Sequence, residues 1–599
     1  MTRQIPVKIF AICMTVLTAV SGCSGKGNVS KSSEVSKSKE KSSEQKKFDR
    51  YLMNTFTKNV SENGINLHYT LENPEKYGIK NQKKNIGKIC KKDIISGKIQ
   101  AKKELEKIKE FEYSKLSYGQ QDTYDVLFDY MKQQEKLASY PYYQTILSPV
   151  SGVQTQLLIS FCEYRLNTKD DIESYFQLLS QTESYFESVI SYEKERIKRG
   201  LFMTDDAVDA AVEQIYEFTD SKNNNSLIET FKERIRTIDG LSQTQKDAYI
   251  CRNGEIVTEQ VIPAYERLAQ KLKTFKGNGK NLSGLSYLNK GRDYYELLVQ
   301  SKTGSSKSVK EMISMTEENI KKCIEETSAI CKKYPDIYEE YANLNIKPYT
   351  GSNPERIIEK LKKKTKKYYP KAPKVNCKIK YVHKSMEKNS SPAFYMIPAI
   401  DSYKDNVIYI NKIQMKDFNQ IYSTLAHEGY PGHLYQNVYY AARKESSIRY
   451  ILDYPGYSEG WATYVEGWSY STIETGKNRK ILARLNVIGM EFNLALCSRV
   501  DFGVHYEGWT KKETEEYLSR YGIDAISANN IFSMIVREPA NYLSYYIGYR
   551  EFLELNDYYK KRAGKKYNLK TFHTMMLDAG PCSFDILKKR IRENLRMEE

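Results

Sequence analysis

Histidine is scarce in this chain, with six among 599 residues, so each can be weighed singly. The cysteines form no Cys-x-x-Cys pair, which argues against a thiolate zinc site. The apolar run near the N-terminus, Ile9 to Val20, is too short to span a membrane. Basic residues are not gathered into a block. The net charge is +18, but the lysines are scattered among glutamates. That speaks against a nucleic-acid binder and for a solvated surface mildly attracted to anionic membrane or cell-wall polymers. No internal repeat is visible.

What is present begins with an address. Arg3 and Lys8 precede the apolar run, and Val20-Ser21-Gly22-Cys23 follows. This pattern fits a lipoprotein signal over residues 1–22, with cleavage before Cys23 and a lipid on that cysteine. A lipid holds a protein on a membrane without spanning it. Residues 23–47 are rich in Lys, Ser and Glu and read as a disordered tether. The folded body is expected from about Phe48 to Glu599. Its hydrophobic share of 40% and charged share of 28% suit a soluble globular protein. The eight remaining cysteines are expected to be small buried thiols. Cys323 and Cys331, eight apart on one helix, would stand roughly 12 Å apart, too far for a disulfide.

The chain is organised around Leu425-Ala426-His427-Glu428-Gly429-Tyr430-Pro431-Gly432-His433. Two neutral imidazoles with a glutamate beside the first are the ingredients of a zinc site and its general base. The histidines are six apart (433 − 427 = 6), not four. On a regular helix six steps leave the second ring about 120° off the first. Pro431 and Gly432 can supply the break that brings them together.

From Phe48 to about Asn345 the apolar spacing is helical, as over Thr168–Arg199 and Leu227–Leu272. The second run should break near Gly240 and bend near Pro263. Lys222 to Ser226 reads as a surface turn. Residues 374–411 read as two or three strands beside the metal helix, a small sheet able to offer an edge to an extended peptide. Glu459 and Glu466, seven apart, share a helical face capped by Ser458. Glu459 could be the third ligand, and Glu466 could hydrogen-bond a ligand from behind. His505 could donate to a developing oxyanion or be a satisfied core residue. His68, His383 and His573 read as packing, surface and structural residues.

Together these residues resemble the bacterial domain of unknown function family 885, a group of predicted zinc peptidases. The family's His-Glu-x-x-Pro-Gly-His is matched by His427 to His433, and its Glu-Gly-Trp-Ala-x-Tyr-x-Glu by Glu459 to Glu466. Arg499, Gly503, His505, Gly508, Trp509 and Thr510 match a third pattern, and Pro539, Tyr545 and Gly548 a fourth. The family often carries a further histidine where this chain has Leu434. The resemblance implies a mainly helical, two-lobed metallopeptidase-like fold with a deep channel. It singles out Tyr545 as an oxyanion stabiliser with His505. The expected activity is zinc-dependent hydrolysis of short peptides at the outer face of the membrane. The alternative is a surface lipoprotein that binds peptide or metal without turnover. Oligomeric state is not legible.

Overall fold

The computed structural model describes residues 41–598, apart from 81, 150, 222–224, 281–282, 346–352, 385–386, 388–390, 416–417 and 474–476. The expected signal, Cys23, residues 24–40 of the tether and most of the 222–226 turn lie outside them. Helix accounts for 71% and strand for 3%, so helix packing builds the body and the strands can only serve it locally.

The body starts earlier than composition suggests. Ser42 accepts from the Gln45 N–H, and Gln45 reaches back to Ser42, a reciprocal cap that starts the helix Ser43–Val60. The folded body therefore begins five residues before Phe48 (48 − 43 = 5). Phe48, Leu52 and Phe56 line one face of this helix and join Leu425, Trp461, Phe552 and Leu587 in a single core. This helix thus shares a core with the elements that build the site and packs on the short turn Ser447–Ile451. A second core lies within residues 86–275, and a third joins Tyr295 and Val299 to Ile488–Ile547.

The run Thr168–Arg199 is two helices, Lys169–Leu179 and Thr182–Lys198. The run after it breaks at Gly240, where φ is +78°, and loosens into a wide turn, Val257–Val261, just before Pro263. Cys162, Cys323, Cys497 and Cys582 are buried thiols, as expected. Cys90 and Cys251 are exposed and Cys331 and Cys377 half-buried, which corrects the expectation for those four.

Three strands form one sheet: β1 (Asn376–Tyr381), β2 (Ala393–Met396) and β3 (Asp405–Ile410), in the order β1-β3-β2. β1 runs parallel to β3, with Cys377 opposite Asn406. β2 runs antiparallel, with Tyr395 opposite Ile408. Ala393, Tyr395, Ile408 and Ile410 face the first core. On the other face Phe394 and Tyr409 stack with centroids 4.9 Å apart.

Five later helices frame the site: α1 (Phe418–Glu428), α2 (His433–Arg443), α3 (Pro455–Tyr470), α4 (Arg479–Phe502) and α5 (Asn541–Ala563). α3 starts at Pro455 after Tyr454, not at Ser458, because proline's fixed φ suits the first helical position. α3 and α5 cross without side chains between them. A Cβ on Gly460 would lie 2.4 Å from the Gly548 carbonyl carbon, and one on Gly548 would lie 2.2 Å from the Gly456 oxygen.

Candidate metal centre

α1 is pinned by Leu425 and Ala426, both fully buried, which fixes the direction of His427 one residue later. The helix then stops. Gly432 N–H bonds back to Ala426 O at 2.9 Å, and the Tyr430–Pro431 peptide is cis. The Trp461 indole on α3 donates to Pro431 O at 2.9 Å and clamps the break. Gly432 is required by close approach, since a Cβ there would meet His427 O at 1.7 Å. α2 restarts at His433 with a new direction. The two imidazoles now face each other, centroids 4.9 Å apart and planes at 82°.

Glu459, on α3, completes the group. Its Oε2 lies 3.6 Å from His427 Nε2 and 3.4 Å from His433 Nε2. These separations are long for hydrogen bonds, and His427 Nε2 and Glu459 Oε2 are buried without a partner. Ligand atoms held at about 2.0–2.2 Å around a tetrahedral zinc ion stand roughly 3.3–3.6 Å from one another. The three donor atoms all lie within 4.8 Å of each other, so two imidazoles and one carboxylate fit a zinc ion with a fourth position left open. Behind His427, its Nδ1 meets Glu466 Oε2 at 3.2 Å, the carboxylate–histidine pairing that orients a ligand ring.

The electrostatics agree. Burial disfavours a charge on His427, but the Glu459 and Glu466 carboxylates outweigh it and lift the ring to about 10. Burial also opposes an ionised Glu459, and His433 and His427 overcome it, holding that carboxyl at about 2. The cluster demands positive charge, as a proton or as a cation.

Glu428 is 1% exposed. Its Oε2 accepts the Tyr395 N–H at 2.7 Å, and its Oε1 has no partner. Burial pushes this carboxyl above the usual range. The free edge of β2 therefore faces the site and holds the Glu428 carboxylate by a backbone donor. Tyr545, on α5, is buried with its ring 6.3 Å from that of His427, and burial, reinforced by the Glu459 and Glu428 charges, pushes its hydroxyl well above the usual range.

The structure does not bring His505 to this group. It lies in the wide turn Gly503–Glu507 after α4. Its Nδ1 accepts from Leu285 N–H at 3.0 Å, and its Nε2 meets Ile535 O at 2.8 Å. Both nitrogens are used within the core, so no donor remains for an oxyanion. The surrounding motif is also structural. The Arg499 guanidinium lies 4.3 Å from the Trp509 ring centroid and pairs with Glu317 and Glu507. Gly503 lies under Trp509, where a Cβ would be 2.3 Å away. His68 accepts from Arg165 N–H and stacks on Tyr164. His573 lies between Tyr368 O at 2.7 Å and Tyr464 OH at 3.0 Å. His383 is half-buried and lines a cavity of about 430 Å³ beside the sheet. Two contributors escaped the sequence reading, the Tyr395 N–H and the Trp461 indole. A backbone donor leaves no signal in a sequence, and Trp461 was seen only as part of a motif.

The buried neutral histidines carry a stability prediction. Burial lowers His505 and His573 to about 4, below the ordinary value near 6.5. The unfolded chain binds their protons first as pH falls. Their stabilisation is complete above pH 6.5 and is lost as pH drops towards 4, by about 3 kcal/mol for each ring. Urea midpoints measured from pH 7 to 4.5 should fall less steeply for His573→Gln than for the unsubstituted protein; parallel curves would refute this.

The family model for bacterial proteins of unknown function, DUF885, matches residues 77–591. The chain belongs to the DUF885 family. No curated protein matches the chain. Two solved structures share the DUF885 protein's fold. One, from Colwellia psychrerythraea and provisionally described as a lipoprotein, has a TM-score of 0.82 at 18% identity, over 93% of this chain and 100% of its own. The other, from Shewanella oneidensis and described as a lipoprotein of unknown function in the same provisional terms, has a TM-score of 0.62 at 16% identity, over 92% of this chain and 100% of its own.

Proposed function

We propose that this DUF885 protein is a zinc-dependent metallopeptidase that hydrolyses short peptides outside the cytoplasmic membrane, anchored by a lipid on Cys23. The observation that carries the reading is the convergence of His427, His433 and Glu459 around unpartnered buried atoms, with the unpartnered Glu428 carboxylate oxygen beside them. His427, His433 and Glu459 would hold the ion. When bound, it supplies a Lewis acid that polarises an amide carbonyl and acidifies water.

The protein's own groups do the rest. Glu428, raised by burial, takes a proton from the attacking water and delivers it to the leaving amine. Tyr545 donates its hydroxyl proton in a hydrogen bond to the developing oxyanion. Glu466 keeps the His427 ring turned towards the ion. A two-lobed body with a deep channel belongs to the same reading, and would admit short peptides while excluding folded proteins. The expected lipid address and the description of both structural neighbours as lipoproteins support the location.

A random mixture of short peptides, digested with and without a chelator and read by mass spectrometry, tests the proposal. Cleavage that stops with the chelator and returns with zinc is expected. Zinc and peptide binding without any cleavage would instead favour a capture lipoprotein.

A further inference from the structure

The helix Lys91–Ile108 turns two large aliphatic side chains to solvent. Ile95 is 57% exposed and Ile99 is 61% exposed. Among the described residues, no other helix exposes two such side chains one turn apart. The inner side of this helix is already satisfied. Leu105 and Ile108 are buried in the first core, and Ile94 packs against the third. The fold therefore does not call on the outward isoleucines, which leave apolar area in water.

Their neighbours are basic. At about 100° per residue, Lys102, Ile95, Ile99, Lys92 and Lys103 follow one another around the helix within an arc of roughly 100°. All five are exposed. Glu106 is the one carboxylate inside the arc, and it pairs with Lys109 at 2.7 Å. At the start of the helix, Lys91 shares a small hollow with the exposed Lys194 and Lys198.

The helix also lies beside the point where the chain enters the body. Glu104 pairs with Lys58 at 3.1 Å. The Glu112 N–H donates to Glu44, in the first turn of Ser43–Val60, at 3.1 Å. Ile99 stands about 14 Å along the helix from Ile108. Eighteen residues separate Cys23 from Ser42 (42 − 23 − 1 = 18), and they can span at most about 65 Å. A lipid on Cys23 and this helix can therefore meet the same bilayer surface.

We propose that the outer face of Lys91–Ile108 docks on an anionic lipid bilayer. The isoleucines enter the headgroup boundary, and the lysines pair with lipid phosphates. The inference is independent of the hydrolase reading. An apolar pair flanked by lysines fits a charged bilayer, because lysine stems lie along the interface while their ammonium groups reach the headgroups. A wall polymer offers the same negative charge but no apolar phase for the isoleucines. A lipid at the end of the tether sets only how far the body can stray. The helix face sets which way the body points.

The test uses residues 24–599, which keep the whole folded body and carry no lipid. Binding is read by sedimentation with vesicles of phosphatidylcholine alone, or of equal parts phosphatidylcholine and phosphatidylglycerol. The mixed vesicles should bind the protein and the neutral ones only weakly. Replacing Ile95 and Ile99 together by serine should weaken binding by about tenfold or more. Lys92→Gln and Lys103→Gln should each weaken it by about fivefold. Ile526→Ser is the control, since Ile526 is 76% exposed on another helix, and binding should persist. The urea midpoint should not change in any of these variants, because every replaced side chain is exposed. No binding to the mixed vesicles, or binding that survives loss of both isoleucines, overturns the assignment. Self-association without vesicles that the double substitution abolishes would give the face to a second copy of the chain, and would also overturn it.

Discussion

Replacing Glu428 by glutamine should give a folded, zinc-loaded protein whose turnover is lower by about 100- to 10,000-fold, the usual contribution of a positioned acid–base group. The substitution is nearly isosteric. The glutamine carbonyl can still accept the Tyr395 N–H now held by Oε2. What disappears is the proton acceptor at Oε1, which has no partner in the fold. Stability should be unchanged or slightly raised, because a buried carboxyl pushed above its usual range prefers to be neutral. Zinc content by atomic spectroscopy should match that of the unsubstituted protein, since Glu428 is not among the three converging donors. Full activity in this variant would refute the base assignment. Loss of zinc would mean that Glu428 binds the ion.

Gly460→Ala should damage both the fold and the centre. Its new methyl would meet backbone atoms of Gly548 at 2.4, 2.6 and 2.8 Å, and backbone cannot swing aside as a side-chain end can. Overpacking of this kind costs about 1–3 kcal/mol and sometimes more. The consequence is larger for function than for stability. α3 carries Glu459 and α5 carries Tyr545, so prising the helices apart moves the proposed ligand and the proposed oxyanion donor together. Zinc affinity and activity should both drop. Gly467→Ala, on the same helix, is the control. Its methyl would meet only the flexible Met490 Cε at 3.3 Å, and both properties should persist. Equal behaviour of the two variants, read by urea midpoint and zinc titration, would show that the crossing does not set the site.

Much of the centre was legible because its parts are rare residue types at odd spacing. Two of six histidines around a Pro-Gly step left few alternatives, and the structure joins them with Glu459 and places Glu466 behind His427. The mainly helical body and the small sheet followed from apolar periodicity and β-branched runs. His505 was not legible. Its motif resembles a functional one, but the constraint on it is the packing of Gly503 under Trp509 and two backbone partners distant in sequence, Leu285 and Ile535. The start of the body was misplaced because Ser42 and Gln45 lie in a polar stretch and act through a cap rather than through apolar pattern. The edge donor Tyr395 N–H escaped because register depends on β3, which is read only once the chain has folded.

The break between α1 and α2, clamped by Trp461, bears on when the ion can arrive. Its binders come from two helices and a third that closes over them, so no short stretch of nascent polypeptide owns a complete cage. An ion held by all three donors would be acquired only after α3 has packed on α1 and α2. Divalent metals compete for such nitrogen and oxygen donors on affinity and supply. Which one such a cage held would then record the compartment where α3 docked, as much as the preference of the donors themselves.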